Sequence, residues 1–285
     1  MTAKGLDMGG IIWLASYPKS GNTWLRAFLH NFMRGPDRSY DINKLADLTA
    51  GDSQTVWYRN LDPGFDQDYT NQRVRELRPH VHRAMSANSP DNIFVKTHNA
   101  LVEEEGYPLV NLEVTAGAIY IVRNPLDVAI SLSHHNRGTI DQAIQYMGMK
   151  TAQSISNAVN VYELYDTWSE HVSSWTATPS PTLHVMRYED MIANPYGSFA
   201  GVVKFLGIAA PRQRIEKAIR LSSFKVLKEQ ERHSGFRERP EGVPAFFREG
   251  KAEQWKKILT PEQVSAIVGA HREQMARFGY VPPGM

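Results

Sequence analysis

Residues 17–24, Tyr-Pro-Lys-Ser-Gly-Asn-Thr-Trp, have the composition of an anion-binding loop. A short apolar run at 11–16 precedes them and predicts a buried strand, and the apolar residues after Gly21 recur at helical spacing. At such a strand-to-helix junction, backbone N–H groups and the helix dipole point at a bound anion. Glycine lets the backbone approach a phosphate, lysine supplies charge, and small polar side chains donate hydrogen bonds. The residues predicted to do this are Lys19, Ser20, Gly21, Asn22 and Thr23.

A second strand-to-helix junction, at 122–131, reads Val-Arg-Asn-Pro-Leu-Asp-Val-Ala-Ile-Ser. Arg123 and Ser131 are separated by about two helical turns, so both can reach one phosphate. The arginine fork suits phosphate oxygens, and the serine donates a hydroxyl. Alternatively, Arg123 is a strand-end residue capped by Asp127, which is a common structural arrangement.

The third candidate is Lys96-Thr97-His98, at the end of an apolar run that begins at Ile93 and predicts another strand. Histidine titrates near neutrality, so His98 is a candidate general base. The other closely spaced histidines, at 80/82 and 134/135, are interpreted as satisfied or solvated side chains, in preference to metal ligands.

The two phosphate motifs resemble those of the cytosolic sulfotransferase family. Residues 17–24 are similar to the family's 5′-phosphosulfate loop, with Asn22 where the family usually has threonine. Residues 122–131 resemble its 3′-phosphate motif, and this resemblance assigns Arg123 and Ser131 to that phosphate. The sulfuryl donor implied is 3′-phosphoadenosine 5′-phosphosulfate (PAPS).

Lys-Thr-His also resembles a sequence of this family, in which the histidine is the catalytic base. The resemblance implies that His98 takes the proton of an acceptor hydroxyl during an in-line transfer. Lys19 and Lys96 would then stabilise the oxygens around sulfur and the departing phosphate. No metal is expected. The acceptor is a small molecule whose identity the sequence leaves open.

Residues 246–256 resemble the family's C-terminal Arg-Lys-Gly loop, which implies that Arg248 and Gly250 also bind the donor. Glu249 stands where the family usually has lysine, and we hypothesise that Lys251 compensates for it. Weaker correspondences concern the adenine ring, which an aromatic stack and hydrogen bonds at its edge would hold. The residues assigned to it are Trp24 on one face, Tyr188 and Ser222 at the polar edge, and Phe224 on the other face.

Composition limits the class of protein. The 285 residues include 32 basic and 30 acidic side chains, and a formal charge of +2 argues against a nucleic-acid-binding face. The absence of cysteine excludes disulfides and thiolate metal sites. The apolar stretch at 9–15 is far shorter than the roughly 20 residues of a membrane span. We therefore expect a cytoplasmic protein without nucleic-acid or membrane partners. A family dimer motif is half present, with Lys256 and Thr260 matching, which leaves monomer or homodimer open.

Two alternatives remain. A P-loop kinase or nucleotide hydrolase would share the strand-loop-helix cradle, but its Walker A loop places the lysine directly after the second glycine, whereas Lys19 precedes Gly21. A non-catalytic nucleotide-binding homologue would keep the fold without the chemistry.

The alternation of strands and helices predicts one α/β domain, with a central, mainly parallel sheet flanked by helices and the nucleotide at the carboxyl ends of the strands. We expect a flexible N-terminus at 1–10 and a sulfotransferase domain at 11–285. Apolar spacing from 161 to 175 predicts a long helix, and another begins near 260 and runs to about 278. Residues 36–70 and 231–254 are predicted to be irregular. We expect 50–70 and 231–247 to shape the acceptor pocket.

Overall fold

The computed structural model describes residues 9–65 and 69–285. Two short 3₁₀ helices, Ile42–Asp47 and Leu112–Val114, accompany the regular elements. The strands are β1 (Ile11–Ser16), β2 (Thr49–Gly51), β3 (Ile93–Thr97), β4 (Glu103–Glu104), β5 (Tyr107–Pro108), β6 (Thr115–Val122) and β7 (Leu183–Arg187). The helices are α1 (Asn22–Arg34), α2 (Thr55–Leu61), α3 (Asn71–Ala87), α4 (Pro125–His135), α5 (Ile140–Met147), α6 (Trp168–Thr176), α7 (Tyr188–Ala193), α8 (Pro195–Phe205), α9 (Arg212–Leu221), α10 (Phe224–Ser234), α11 (Trp255–Ile258) and α12 (Pro261–Arg277).

Five parallel strands form the central sheet, in the order β2-β3-β1-β6-β7. Alternate side chains of β1 enter different cores, because successive residues of a strand point to opposite faces. Trp13 and Ala15 pack in one core with residues of α3, α4, α6 and α12, and Leu14 packs in the other with residues of α1, α8 and α9. Helices therefore cover both faces, as parallel sheets require, and the predicted single α/β fold is confirmed.

The parallel arrangement brings the candidate motifs to one edge of the sheet. The loop at 17–21 follows β1, His98 follows β3, Arg123 follows β6 and Tyr188 follows β7. We call this the carboxyl edge. Since β1 lies between β3 and β6, the phosphate loop sits between the candidate base and the candidate arginine.

The predicted long helix from 161 to 175 is wrong over its first half. The helix begins only at Trp168, after the N-cap Thr167, whose hydroxyl accepts a hydrogen bond from the N–H of Glu170. Asp166 has φ 56, which is incompatible with a continuing right-handed helix. In the segment before it, Leu164 forms an isolated β-bridge with Gln153. The apolar spacing reflects burial on two different elements.

Residues 36–70 contain more regular structure than predicted. A 3₁₀ helix, the edge strand β2 and helix α2 lie within this range, of which residues 66–68 fall outside the described residues. Residues 235–254 contain neither helix nor strand, so that part of the second irregular prediction is confirmed, although α10 extends to Ser234. The predicted last helix is confirmed as α12. Of the expected flexible N-terminus, residues 1–8 lie outside the described residues.

No helix among residues 9–65 and 69–285 combines the length and apolar character needed to cross a membrane. In the same residues, no three His, Cys, Asp or Glu side chains are grouped so that they could hold a metal ion.

Candidate active site

The phosphate loop ends in a glycine whose conformation other residues rarely adopt. Gly21 is the N-cap of α1 with φ 107 and ψ 12, and a Cβ atom there would lie 2.7 Å from Cδ2 of Tyr188. The loop therefore lies directly against the Tyr188 ring. Ser20 is 1% exposed, and its hydroxyl is buried without a hydrogen-bond partner among the described residues. An anion at the loop would satisfy that hydroxyl.

Asn22 points into the fold and ties the loop to β1. Its Nδ2 donates to the carbonyl of Leu14 at 2.8 Å and to the Ser16 hydroxyl at 3.3 Å. The amide nitrogen is thus already committed, and what it can add to donor binding is positioning of the loop, whereas Oδ1 is buried without a partner among the described residues. Thr23, the next residue, is half-buried in the first turn of α1.

The ammonium group of Lys19 lies between two side chains from outside residues 17–24, 96–98 and 122–131. Nζ is 3.1 Å from Nδ1 of His135 and 4.0 Å from the centroid of the Phe246 ring. Burial, and next the charge of Arg123, lowers the pKa of Lys19 to about 7. Burial and Lys19 together lower the pKa of His135 to about 3, so this ring is neutral and can accept a hydrogen bond from Lys19. The sequence marks His135 only as part of a histidine pair.

Arg123 braces the loop from the next strand. Its Nη1 donates to the carbonyl of Lys19 at 2.8 Å, and its guanidinium lies 4.3 Å from the centroid of the Tyr188 ring. Its Nε is buried and has no partner within the described part of the chain. Ser131 is half-buried two turns further along α4. Arg123 therefore retains a donor for a ligand.

Asp127 connects α4 to the C-terminal loop. Its two carboxylate oxygens accept hydrogen bonds from the N–H of Glu253 at 2.6 Å and from the N–H of Trp255 at 3.0 Å. Burial raises the pKa of Asp127, against the opposing effect of Arg123. Capping of Arg123 is thus not the main task of this carboxylate, which instead holds the segment that follows Arg248 and Gly250.

The C-terminal loop packs on an aromatic ring. Gly250 has φ 62, and a Cβ atom there would lie 2.3 Å from the Phe224 ring. Arg248 donates through Nη2 to Oε1 of Gln254 at 2.9 Å. Lys251 Nζ is 3.4 Å from Oε2 of Glu249, at an exposed position. The Lys251 charge is thus paired with the Glu249 carboxylate, and its compensation for the missing lysine in donor binding stays a prediction.

The four candidate adenine residues fall into three places. Trp24 meets Tyr188 edge-on at 6.1 Å, beside Gly21, and its buried indole N–H finds no acceptor in residues 9–65 and 69–285. Phe224 lies at Gly250. Ser222 is fully buried at the C-terminal end of α9, where its hydroxyl donates to the carbonyl of Ala218 at 2.9 Å. A capping role thus accounts for Ser222 in the protein alone, and its contact with adenine stays a prediction.

His98 is held in one tautomer. Its Nδ1 lies 2.7 Å from the carbonyl oxygen of Ser16. Because a carbonyl only accepts, Nδ1 carries the proton and Nε2 keeps its lone pair. Burial, and next the charge of Lys96, lowers the pKa of His98 well below its usual range. The imidazole is therefore neutral at physiological pH, as a base must be before it accepts a proton.

Two further residues support His98. The ring Nε2 of His171 donates to the His98 carbonyl at 3.1 Å, and its Nδ1 accepts from the Tyr120 hydroxyl at 2.8 Å. Glu163 accepts the N–H of His98 at 2.8 Å, and both of its carboxylate oxygens lie 3.1 Å from Nζ of Lys96. Neither residue belongs to a motif, and their spacing from His98 along the chain gives no signal.

Three buried groups at the carboxyl edge fit a ligand rich in acceptor oxygens. They are the hydroxyl of Ser20, Nε of Arg123 and the indole N–H of Trp24, all without partners in the residues that the structure describes. A buried donor without a partner costs free energy, about 1–3 kcal/mol. Phosphate and sulfuryl oxygens would satisfy such donors, so the residues present fit a phosphorylated donor.

Comparison with known proteins agrees with this geometry. The family model of the sulfotransferase domain matches residues 11–279. Cytosolic sulfotransferase 17 of Arabidopsis thaliana is 25% identical over a 290-residue alignment that covers 94% of this chain and 75% of that protein. Sulfotransferase 2A6 of Rattus norvegicus is 25% identical over 281 residues, covering 95% and 86%.

Solved structures share the fold. The mouse sulfotransferase SULT7A1, complexed with PAP, has a TM-score of 0.64 at 20% identity, over 97% of this chain and 92% of that one. Retinol dehydratase, in complex with androsterone and the inactive cofactor PAP, has a TM-score of 0.65 at 19% identity, over 96% and 83%.

The chain belongs to the sulfotransferase family. It is a PAPS-dependent sulfotransferase of the cytosolic type.

Proposed function

We propose that the protein transfers the sulfuryl group of PAPS in line to a hydroxyl of a small acceptor, with His98 as the base. The observation that carries this proposal is the Ser16 carbonyl on Nδ1 of His98, 2.7 Å away. It leaves a lone pair on Nε2, on a residue that follows the strand adjacent to the phosphate loop.

Donor binding is assigned to four groups of residues. Lys19, Ser20, Gly21, Asn22 and Thr23 would hold the 5′-phosphosulfate. Arg123 and Ser131 would hold the 3′-phosphate, and Arg248 and Gly250 of the C-terminal loop would also bind the donor. Trp24, Tyr188, Ser222 and Phe224 would surround the adenine. The buried donors of Ser20 and Arg123, which have no partner in the described residues, support this assignment.

Sulfuryl transfer requires one proton transfer and stabilisation of the negative charge on the transferred group and the leaving phosphate. As the acceptor oxygen bonds to sulfur, the bond between sulfur and the phosphate oxygen breaks, and the acceptor proton moves to Nε2 of His98. Lys19 and Lys96 stabilise the oxygens around sulfur and the leaving phosphate. A positioned base contributes typically about 10²–10⁴ in rate.

Nucleotide binding tests the donor assignment before any acceptor is known. Isothermal calorimetry with adenosine 3′,5′-bisphosphate (PAP) should give tighter binding than AMP, ADP or Mg-ATP. Arg123→Ala should weaken PAP binding about tenfold to a hundredfold, since a hydrogen bond to a charged group contributes about 1.5–3 kcal/mol. AMP, which lacks the 3′-phosphate, should lose little. Preference for Mg-ATP would favour a kinase.

His98→Ala separates binding from chemistry. The variant should bind PAP nearly as the wild type does and lose turnover, measured as PAP release from PAPS with a hydroxyl acceptor. Undiminished turnover would remove His98 from the proposed role. If the wild type binds PAP but shows no turnover, that result would instead favour a non-catalytic homologue.

The remaining assignments are broader. We propose a cytoplasmic location, which the name of the Arabidopsis relative supports, and a monomer or homodimer. Residues 50–70 and 231–247 are proposed to shape the acceptor pocket.

A further inference from the structure

Glu163 contacts both residues of the Lys96-Thr97-His98 sequence that carry proposed roles. Its carboxylate accepts two hydrogen bonds from Lys96 Nζ, at 3.1 Å each, and one from the N–H of His98, at 2.8 Å. The Glu163 and Lys96 side chains are only 8% and 17% exposed. The ion pair is therefore shielded from water, so its attraction is much less screened than that of a surface pair.

The segment that carries Glu163 is fixed along the end of β3. The N–H of Glu163 donates to the hydroxyl of Ser154 at 2.9 Å, and the N–H of Ser154 returns a bond to the Glu163 carbonyl at 3.0 Å. The N–H of Leu164 donates to Oδ1 of Asn99 at 2.9 Å. The backbone that carries the carboxylate is therefore fixed at Glu163 and at Leu164.

Such an anchor has a specific consequence for a lysine. A lysine side chain has four flexible methylene groups, so one hydrogen bond does not fix the position of its ammonium group. Two bonds to one fixed carboxylate define the position of Nζ, and the third bond of that carboxylate fixes the backbone of His98. Misplacement of a reacting group by about 1 Å can lower a rate about a hundredfold.

We propose that Glu163 is a positioning residue for sulfuryl transfer, which sets the Lys96 ammonium and the His98 backbone relative to one another. This inference rests on the proposed function. The hydrogen bonds of the Glu163 carboxylate go to Lys96 and His98, which are assigned to the chemistry and not to nucleotide binding. Replacing Glu163 should therefore change turnover and not nucleotide affinity.

Two substitutions separate its contacts. Glu163→Gln keeps an oxygen for the His98 N–H and removes the charge that holds Lys96, whereas Glu163→Leu removes both. Glu113→Gln is the matched control, since Glu113 is an exposed glutamate in a surface pair with Arg83. Turnover is measured as PAP release from PAPS with 2-naphthol and, in parallel, with water as the sole acceptor. PAP affinity is measured by calorimetry, and folding by thermal melting.

We expect Glu163→Gln to lower kcat about tenfold to a hundredfold, with PAP affinity within about threefold of wild type, and Glu163→Leu to lower kcat further. In a Lys96→Met background, Glu163→Gln should cost less than about threefold, because the residue through which it acts is gone. A merely structural residue would cost the same in both backgrounds.

The outcomes distinguish this inference from the proposed function. Positioning by Glu163 is refuted alone if the wild type binds PAP and turns over while Glu163→Gln keeps its kcat. It is also refuted alone if Glu163→Gln loses as much kcat in the Lys96→Met background as in the native one. If the wild type fails to bind PAP or to release it from PAPS, the proposed function is refuted and the inference with it.

Discussion

Replacing Gly21 by alanine should weaken the fold and the donor site together. Gly21 has φ 107 and ψ 12 at the start of α1, and a methyl group there would lie 2.7 Å from Cδ2 of Tyr188. The Tyr188 ring cannot move freely, because the Arg123 guanidinium lies 4.3 Å from its centroid. Either the ring or the loop must shift.

The magnitude follows from two contributions. A left-handed backbone costs an alanine roughly 1–2 kcal/mol relative to glycine. Forcing an extra methyl into a packed region costs typically about 1–3 kcal/mol. The unfolding free energy should therefore fall by about 2–5 kcal/mol. PAP affinity should fall at least about tenfold, since the displaced loop carries Lys19 and Ser20.

Gly35→Ala provides the control. Gly35 closes the same helix with φ 58, and within the described residues no heavy atom lies within 4 Å of the position that its Cβ would take. This variant carries the backbone strain without the clash, so it should lose about 1 kcal/mol and bind PAP normally. Urea denaturation gives the free energies of unfolding, and calorimetry gives the affinities. If the two variants unfold alike and both bind PAP as the wild type does, the steric reasoning is wrong.

Three further results are expected. Arg78→Met should lower the unfolding free energy by about 3–5 kcal/mol, because three buried acceptors lose their hydrogen bonds from the guanidinium and each unsatisfied group costs about 1–3 kcal/mol. These acceptors are the hydroxyl of Tyr58, Oδ1 of Asn99 and the carbonyl of Tyr162. A loss below about 1 kcal/mol in urea denaturation, less than one such group would cost, contradicts this. Asp127→Ala should release the 248–254 loop, which limited proteolysis detects as faster cleavage there, and should weaken PAP binding about tenfold; unchanged cleavage contradicts it. At about pH 8, Lys19 is mostly neutral, because its pKa is lowered to about 7. An anionic ligand raises that pKa, so PAP binding should take up a proton, seen by calorimetry in buffers of different ionisation enthalpy. Equal uptake in Lys19→Met refutes this assignment.

The two strand-to-helix junctions assigned to the donor could be predicted because their signals are local. Residues 17–24 and 122–131 each join one strand to one helix, and the apolar run, the turn and the helical spacing lie within a few residues. A parallel sheet then brings the two junctions together without further information. The same holds for His98, which directly follows β3.

The elements that were predicted wrongly from the sequence are those whose conformation depends on residues distant along the chain. The segment before α6 has helical spacing, but it pairs with Gln153 and donates from the Val161 N–H to the Ser53 carbonyl. Strand β2 has three residues and α2 has seven, too few for periodicity to show. Tertiary contacts set the structure in each case.

The side chains that surround the lysines were missed for the same reason. Glu163, His135 and Phe246 come from three separate parts of the chain, and none of them marks a lysine contact in the sequence. Each acquires its importance only where folding places it beside Lys96 or Lys19. Spacing along the chain carries no trace of such contacts.

Lys19 and Lys96 reduce the free-energy cost of burying an ammonium group in different ways. Lys19 lies near Arg123, and the pKa of Lys19 is depressed to about 7. Lys96 instead has the Glu163 carboxylate as a counter-charge. An incoming anion therefore gains most at Lys19, whose protonation at about pH 8 becomes favourable when the anion binds. Donor binding should thus be linked to pH through Lys19, whereas neutralising Glu163 should alter turnover and leave that linkage intact. A change in proton uptake in Glu163→Gln would show that the two lysines are coupled after all.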